Sequence, residues 1–439
     1  MIDDEQAIMQ RILPIFESHD RFLLLNHSDL SQEQPGVVSF LASFDNGLKS
    51  IEGYKAVRGF LRSYEGNVAT FNSYRTHVER LLLWSLLVSR KPILELTRQD
   101  GERFMEFCIS PPVAWIGPVV KARWKRVGGR IAKDTDTWIV NSAWRPFYLT
   151  SSKREKKLAS ERSVDVGHRP YRMAQDTVAQ VFAVCGSFYQ FVADEGLTSH
   201  ANPIRAIKQK SKYKQRVPGI VRSKALTDLQ WHFVLDTARL MAAEDPRRHE
   251  RTLFILSTLY SMYLRVSDLA GREGWQPAMN SFVRDSAGNW WYEVVGKGNK
   301  HARISVKDEY INVYMSRYRS FLGKSPTPPV DDGSALLYSL RGRPGLSEGH
   351  IRSIVQKVFD YALERMKSEG FSENDIDNLR SSSLHWLRHT SATADARYRD
   401  MKDLQADLRH ESLATTTDTY YNSLDEQRHR SNKNLSIDR

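Results

Sequence analysis

Cysteine is nearly missing from this chain: Cys108 and Cys185 are the only two in 439 residues. They form no CxxC pair, which excludes a thiolate zinc site and a disulfide framework. Both fall in apolar amphipathic segments and read as small buried hydrophobes. Long apolar runs are missing too, since no stretch approaches the ~18 residues that a spanning helix needs. The first residues, Met1-Ile-Asp-Asp-Glu-Gln6, lack the basic start and apolar stretch of a secretory signal. These absences lead to the expectation of a cytoplasmic protein with no membrane partner. Acid is in short supply: 52 Asp+Glu face 64 Lys+Arg, a formal net charge of +12. That balance suits a polyanionic partner and favours nucleic acid.

What is present divides into segments, and the length allows two or three domains with cores of their own. Residues 1–50 reverse the overall balance, with eight Asp/Glu against three Lys/Arg. Such a segment is ill suited to touch phosphate and is expected to be a helical docking or assembly element. Residues 51–204 are expected to be a helical domain. Phe71, Tyr74, Val78, Leu81, Leu82 and Leu86 recur at helical spacing, a second helix over about 97–109 follows Thr97 as N-cap, and Val178, Val181, Phe182, Cys185 and Phe188 stripe a third that stops at Gly196. An insertion, 112–168, carries Trp115, Trp124, Trp138 and Trp144 beside basic runs at Lys121–Arg130 and Lys153–Lys157. It reads either as a small Trp-anchored core under a basic surface or as an extra DNA contact. Residues 205–225 form a basic linker. Pro203 to Thr227 holds eight Lys/Arg, no acid, and Pro218-Gly219 at its middle. Residues 226–424 read as one α+β domain. It has a buried apolar helix over 251–264, strands at Trp290–Val295 and Arg303–Val306 around the turn Gly296–Asn299, and a helix over 347–366. A polar tail, 425–439, has no evident core to join.

Near the C-terminus stand His385-Trp-Leu-Arg388-His389, then Leu408-Arg-His410, then Thr415-Thr-Thr-Asp-Thr-Tyr420. Upstream lie Arg265 in Tyr263-Leu-Arg-Val-Ser-Asp268 and Lys297 in Val295-Gly-Lys-Gly-Asn-Lys300. Phosphoryl transfer asks chiefly for positioning and for neutralising charge on the non-bridging oxygens. Guanidinium does this with a planar fork that stays protonated. An Arg directly after a buried run such as 251–264 is odd as plain structure, because an unpaired buried charge is costly. Arg388 lies within a helical turn of His385, so both can face one phosphate.

In this order and spacing the residues resemble the tyrosine recombinase (phage-integrase) family. The resemblance implies a mainly α fold with a small β-sheet: a helical core-binding domain and an α+β catalytic domain that close on DNA as a C-shaped clamp. It implies that Arg265 and Arg388 clamp the phosphate, that Lys297 is the general acid, with Lys300 as the fallback, and that His385 helps deprotonate the nucleophile or orients the phosphate. His410 would donate to a non-bridging oxygen. Glycine usually precedes that histidine in the family. Here it is Arg409, a place for an added DNA contact or an altered turn. Tyr420 is favoured over Tyr421 as nucleophile, since neighbours on a helix point ~100° apart. In the linker, Lys208, Lys210, Lys212, Lys214 and Arg216 would lie along the DNA backbone.

The implied activity is site-specific cutting and rejoining of double-stranded DNA through a 3′-phosphotyrosyl ester, with no cofactor, metal or ATP. A type IB topoisomerase or a telomere resolvase would share that chemistry, and a non-catalytic DNA-binding protein would share the fold. A metalloenzyme with His385, His389 and His410 as ligands is the rival of another class, but Trp386 stands where HExxH needs Glu. The resemblance also implies self-association, as a monomer or dimer free and a tetramer on DNA, with the tail 425–439 docked on a neighbour. Accessory proteins remain open.

Overall fold

The computed structural model describes residues 12–24, 34–129, 137–162, 171–207, 213, 224–296, 300–421 and 433. The linker residues Lys208, Lys210, Lys212, Lys214 and Arg216, the turn residue Lys297, and all of the tail except Lys433 lie outside that set. The chain forms two compact units, one from residues 1–151 and 167–219, the other from 152–166 and 220–439. Both are mainly helical with small sheets.

The first unit is built on the helices Ser50–Arg62, Val68–Trp84, Arg98–Ile109 and Gln175–Asp194. Local chemistry sets their ends. The Asn67 side chain accepts from Thr70 N at 2.9 Å, and Thr97 and Asp100 form a reciprocal capping box. Gly196, at φ 66°, closes the last helix. Phe60, Val78, Leu82, Phe104, Val181 and Phe188 fill the core, with Cys108 and Cys185 buried among them as free thiols. Burial pushes the Cys108 thiol up to about 12.

The described part of the acidic segment packs into this unit. Ile15, Phe16, Phe22, Val37, Phe40 and Leu41 all join this core. Glu17 is turned inward, 1% exposed, against the Arg58 guanidinium at 3.4 Å. Excess acid in a sequence does not say which way each residue points, and Glu17 is taken up by a buried arginine. Of the insertion's tryptophans, Trp115, Trp124 and Trp144 contribute to this same core. Trp115 and Trp144 are buried beside a parallel pair of two-residue strands, Ile116–Gly117 and Phe147–Tyr148, and an antiparallel pair, Trp124–Val127 with Thr137–Val140.

The helix Lys153–Arg162, expected within that insertion, belongs to the second unit. Its basic run meets carboxylates and an amide: Lys153 reaches Gln356 at 2.8 Å, Arg154 reaches Asp377 at 2.5 Å, and Lys157 pairs with Asp360. Glu161 accepts from Lys367 at 2.7 Å and from the buried Arg380 at 2.9 Å.

In the rest of the second unit, a capping box of Thr227 and Gln230 starts the helix Asp228–Glu244, and Asp245 with Pro246 starts Pro246–Ser261. The two helices pack with Trp231 stacked on Tyr260 at 3.8 Å. The antiparallel sheet runs Phe282–Arg284, Trp290–Val295, His301–Ser305, with Tyr292 opposite Ile304 and Val295 opposite His301. Glu348–Ser368 covers the core with Ile351, Val355, Val358 and Phe359. The end of the unit breaks into short pieces: Glu373–Ser381, Leu384–Asp395, Met401–Leu408, Leu413–Thr416 and a wide turn Thr417–Tyr421.

Candidate active site

Two sharp reversals of the backbone make the site. Tyr263, at φ 53°, ends the buried helix and releases Arg265 just before the short helix Ser267–Ala270. Arg409, at φ 54°, ends Met401–Leu408 and releases His410. A non-glycine residue in the left-handed region is uncommon and needs holding in place. The Tyr263 hydroxyl donates to Asp395, and Arg399 donates to that hydroxyl at 3.1 Å.

Arg388 ties the two reversals together. It is 2% exposed on the helix Leu384–Asp395. Its Nη1 donates to the Tyr263 carbonyl at 2.5 Å and its Nη2 to the Leu408 carbonyl. Burial, then the nearby Arg265, lowers its guanidinium to about 10, still cationic at neutral pH. Arg265 is the complement: its side chain is exposed, and its guanidinium has no hydrogen bond or ion pair among the described residues. Its backbone N–H donates to the buried Asp268 at 2.8 Å. One guanidinium is structural and charged; the other is charged and available.

Two imidazoles, His389 and His410, flank Tyr420, and a third, His385, meets His389. His385 and His389, one helical turn apart, place their Nε2 atoms 3.0 Å from each other. The His389 ring centre lies 5.7 Å from that of Tyr420. The His410 ring stacks on the phenol at 6.0 Å and 10°, its Nδ1 set by the Thr416 hydroxyl at 2.9 Å. Burial first, then the surrounding cations, lowers His389 and His410 to about 4 and lowers His385. All three are therefore neutral at pH 7. Tyr420 is 1% exposed, packed with Tyr263, Ala392, Leu404 and Leu408. Burial raises its phenol, while a hydrogen bond from Arg388 and the field of Arg265 act the other way.

Arg265, His385, Arg388, His410 and Tyr420 thus come together from segments up to 155 residues apart in the sequence. Lys300 faces Glu411 across 3.8 Å on the surface. His389 had a place in the sequence reading only as a metal ligand. Its contact with His385 was legible from the four-residue spacing, but its approach to Tyr420 depends on the later reversals. Among the described residues no three ligand side chains stand close enough to hold a metal ion. Asp268 and Arg409 enter the site through a mutual pairing that no local pattern announces.

No family model and no curated protein matches the chain. Solved structures do. The XerH site-specific recombinase bound to palindromic difH substrate, in a post-cleavage complex, superposes with a TM-score of 0.52 at 13% identity, over 94% of this chain and 92% of that one. The Tn1549 transposon integrase in complex with a circular intermediate DNA gives 0.45 at 13% identity, over 86% and 98%. A lambda integrase dimer bound to a COC′ core site gives 0.43 at 12%, over 88% and 79%. The first likeness spans nearly all of both chains, and the fold of this chain is the one seen in the XerH site-specific recombinase.

Proposed function

We propose that this protein is a site-specific DNA recombinase that cuts and rejoins strands through Tyr420. The observation that carries the reading is the gathering of two guanidiniums and the neutral His389 and His410 imidazoles around one buried phenol, with His385 in contact with His389. A phenol, with its ordinary pKa of ~10, reacts at neutral pH only if its proton has an acceptor and its anion a counter-charge. Both are at hand. Tyr420 Oη forms a bond to the scissile phosphorus as the bond from phosphorus to the 5′ oxygen breaks, and the phenol proton passes to an imidazole. Lys297, by its place in the sequence, gives a proton to the departing 5′ oxygen. Arg265 donates to the non-bridging oxygens, and the buried Arg388 adds its charge from behind the phenol. The partner strand's 5′-OH then attacks the 3′-phosphotyrosine and reseals the DNA. The ester conserves the bond energy, so the cycle needs no ATP. Because Tyr420 is 1% exposed, admitting the phosphate requires a shift of the segment 413–421.

The proposal extends to assembly. Two duplexes need four active sites, so the working form is a tetramer on DNA, with Lys208, Lys210, Lys212, Lys214 and Arg216 along the phosphates.

The test is a covalent adduct. On a nicked duplex selected by the wild-type protein from a random-sequence library, wild type should accumulate a protein–DNA adduct and Tyr420→Phe should form none while binding equally well. An adduct that persists in Tyr420→Phe and vanishes in Tyr421→Phe moves the nucleophile by one residue. Relaxation of supercoils without sequence preference favours a topoisomerase.

A further inference from the structure

Arg409 is where the chain departs from the resemblance that glycine would satisfy. Its backbone shows why glycine suits the place: it caps Met401–Leu408 at φ 54°, where a side chain is disfavoured. The side chain has a compensating contact. Its guanidinium reaches Asp268, 141 residues earlier, with Nη1 at 3.1 Å from Oδ1 and Nη2 on Oδ2. Asp268 is 0% exposed, and the same carboxylate accepts from the backbone N–H of Arg265 at 2.8 Å and from Arg272 at 3.4 Å. One carboxylate therefore joins the main chain of Arg265 to the residue beside His410. Arg388 spans the same two segments through the carbonyls of Tyr263 and Leu408. The Arg409 side chain is only 11% exposed, which leaves little of it for a DNA backbone.

We propose that Arg409 is a positioning residue: its fork to Asp268 fixes the separation of Arg265 and His410 so that both address one phosphate. The inference rests on reading the site as a phosphodiester site. It adds a device particular to this sequence, in which a charged fork does the aligning and the left-handed turn tolerates the residue that carries it. Asp268 offers two oxygens in one plane, which a guanidinium can engage together and an ammonium cannot.

The experiment compares full-length wild type with Arg409→Gly and Arg409→Lys. Glycine accepts the backbone angle, but the buried Asp268 loses its fork, so Arg409→Gly should melt several degrees below wild type and is assayed well below that transition. Its single-turnover adduct formation on the selected nicked duplex should fall about 10- to 100-fold at saturating DNA, with affinity unchanged. Arg409→Lys, which has charge without the fork, should stay impaired. Cleavage by Arg409→Gly within about two-fold of wild type overturns the proposal, as does full activity in Arg409→Lys. A second arm does not depend on cleavage. Inorganic phosphate is titrated while the His410 imidazole is followed by NMR, assigned against His410→Gln. If wild type forms no adduct, the recombinase reading fails, and this arm still decides the role of Arg409. Phosphate binding weakened about 10-fold in Arg409→Gly supports alignment, and equal binding overturns it.

Discussion

Arg265 and Arg388 show how one residue type does two jobs at a single site. Their charge was legible in the sequence, from the Arg after a buried run and the His-x-x-Arg pair. Their division of labour was not, because the carbonyls that Arg388 engages belong to residues 125 and 20 positions away. Removing a buried donor leaves its acceptors unsatisfied, at about 1–3 kcal/mol each. Arg388→Ala should therefore lose both function and stability: adduct formation down at least ~100-fold and a melting temperature several degrees lower. Arg265→Ala should lose a similar factor in cleavage, ~100-fold, with melting nearly unchanged, since its exposed side chain supports nothing else. Matched cleavage and melting measurements separate the two. Equal destabilisation by both substitutions would mean that Arg265 is held within the fold after all.

Elements were most legible where periodicity and caps coincide. Thr97 announced the helix Arg98–Ile109, and the apolar stripe at Ile351, Val355 and Val358 announced Glu348–Ser368. The breaks among the final helices were harder to read, because a left-handed residue such as Arg409 is not a type that advertises a turn. The helix Lys153–Arg162 was misplaced for a different reason. Basic, and with no buried residue of its own, it has no apolar stripe to show where it docks. Its partners Asp360 and Asp377 lie more than 200 positions on. Burial works to raise the Glu161 carboxyl, yet the bonds from Arg380 and Lys367 overcome it and hold it below the usual range. Glu161→Gln should cut that attachment by about 1 kcal/mol, the upper end for partly exposed pairs, and speed amide exchange across 153–162 about five-fold. Molar salt should act in the same direction. Exchange that responds to neither would show that something other than ion pairing seats the helix.

At the scale of the whole molecule, the basic composition pointed to a polyanion and the apolar patterns to two cores. Composition could not say that each unit holds imidazole neutral, buried in the first unit and half-buried in the second. In the first unit, burial and then Arg80 lower His77 to about 4 against a hydrogen bond with Gln180. In the second, His389 and His410 lie at about 4, with His385, Lys224, Arg265, Arg388 and Arg409 among the groups that face them. An unfolded histidine takes its proton near pH ~6.5. From there down to about 4 the unfolded chain binds more protons than the native one, so these groups make stability fall as pH falls. Above that window they have no effect, and below it their contribution is constant. Melting temperatures should therefore hold steady from pH 8 to 7 and decline from about 6.5 toward 4.5, before most carboxylates begin to titrate. His77→Gln should flatten the decline of the first unit alone, because it removes the group that protonates only on unfolding while leaving the imidazoles around Tyr420 in place. A decline of the same slope in that variant would mean that His77 already carries its proton in the folded unit.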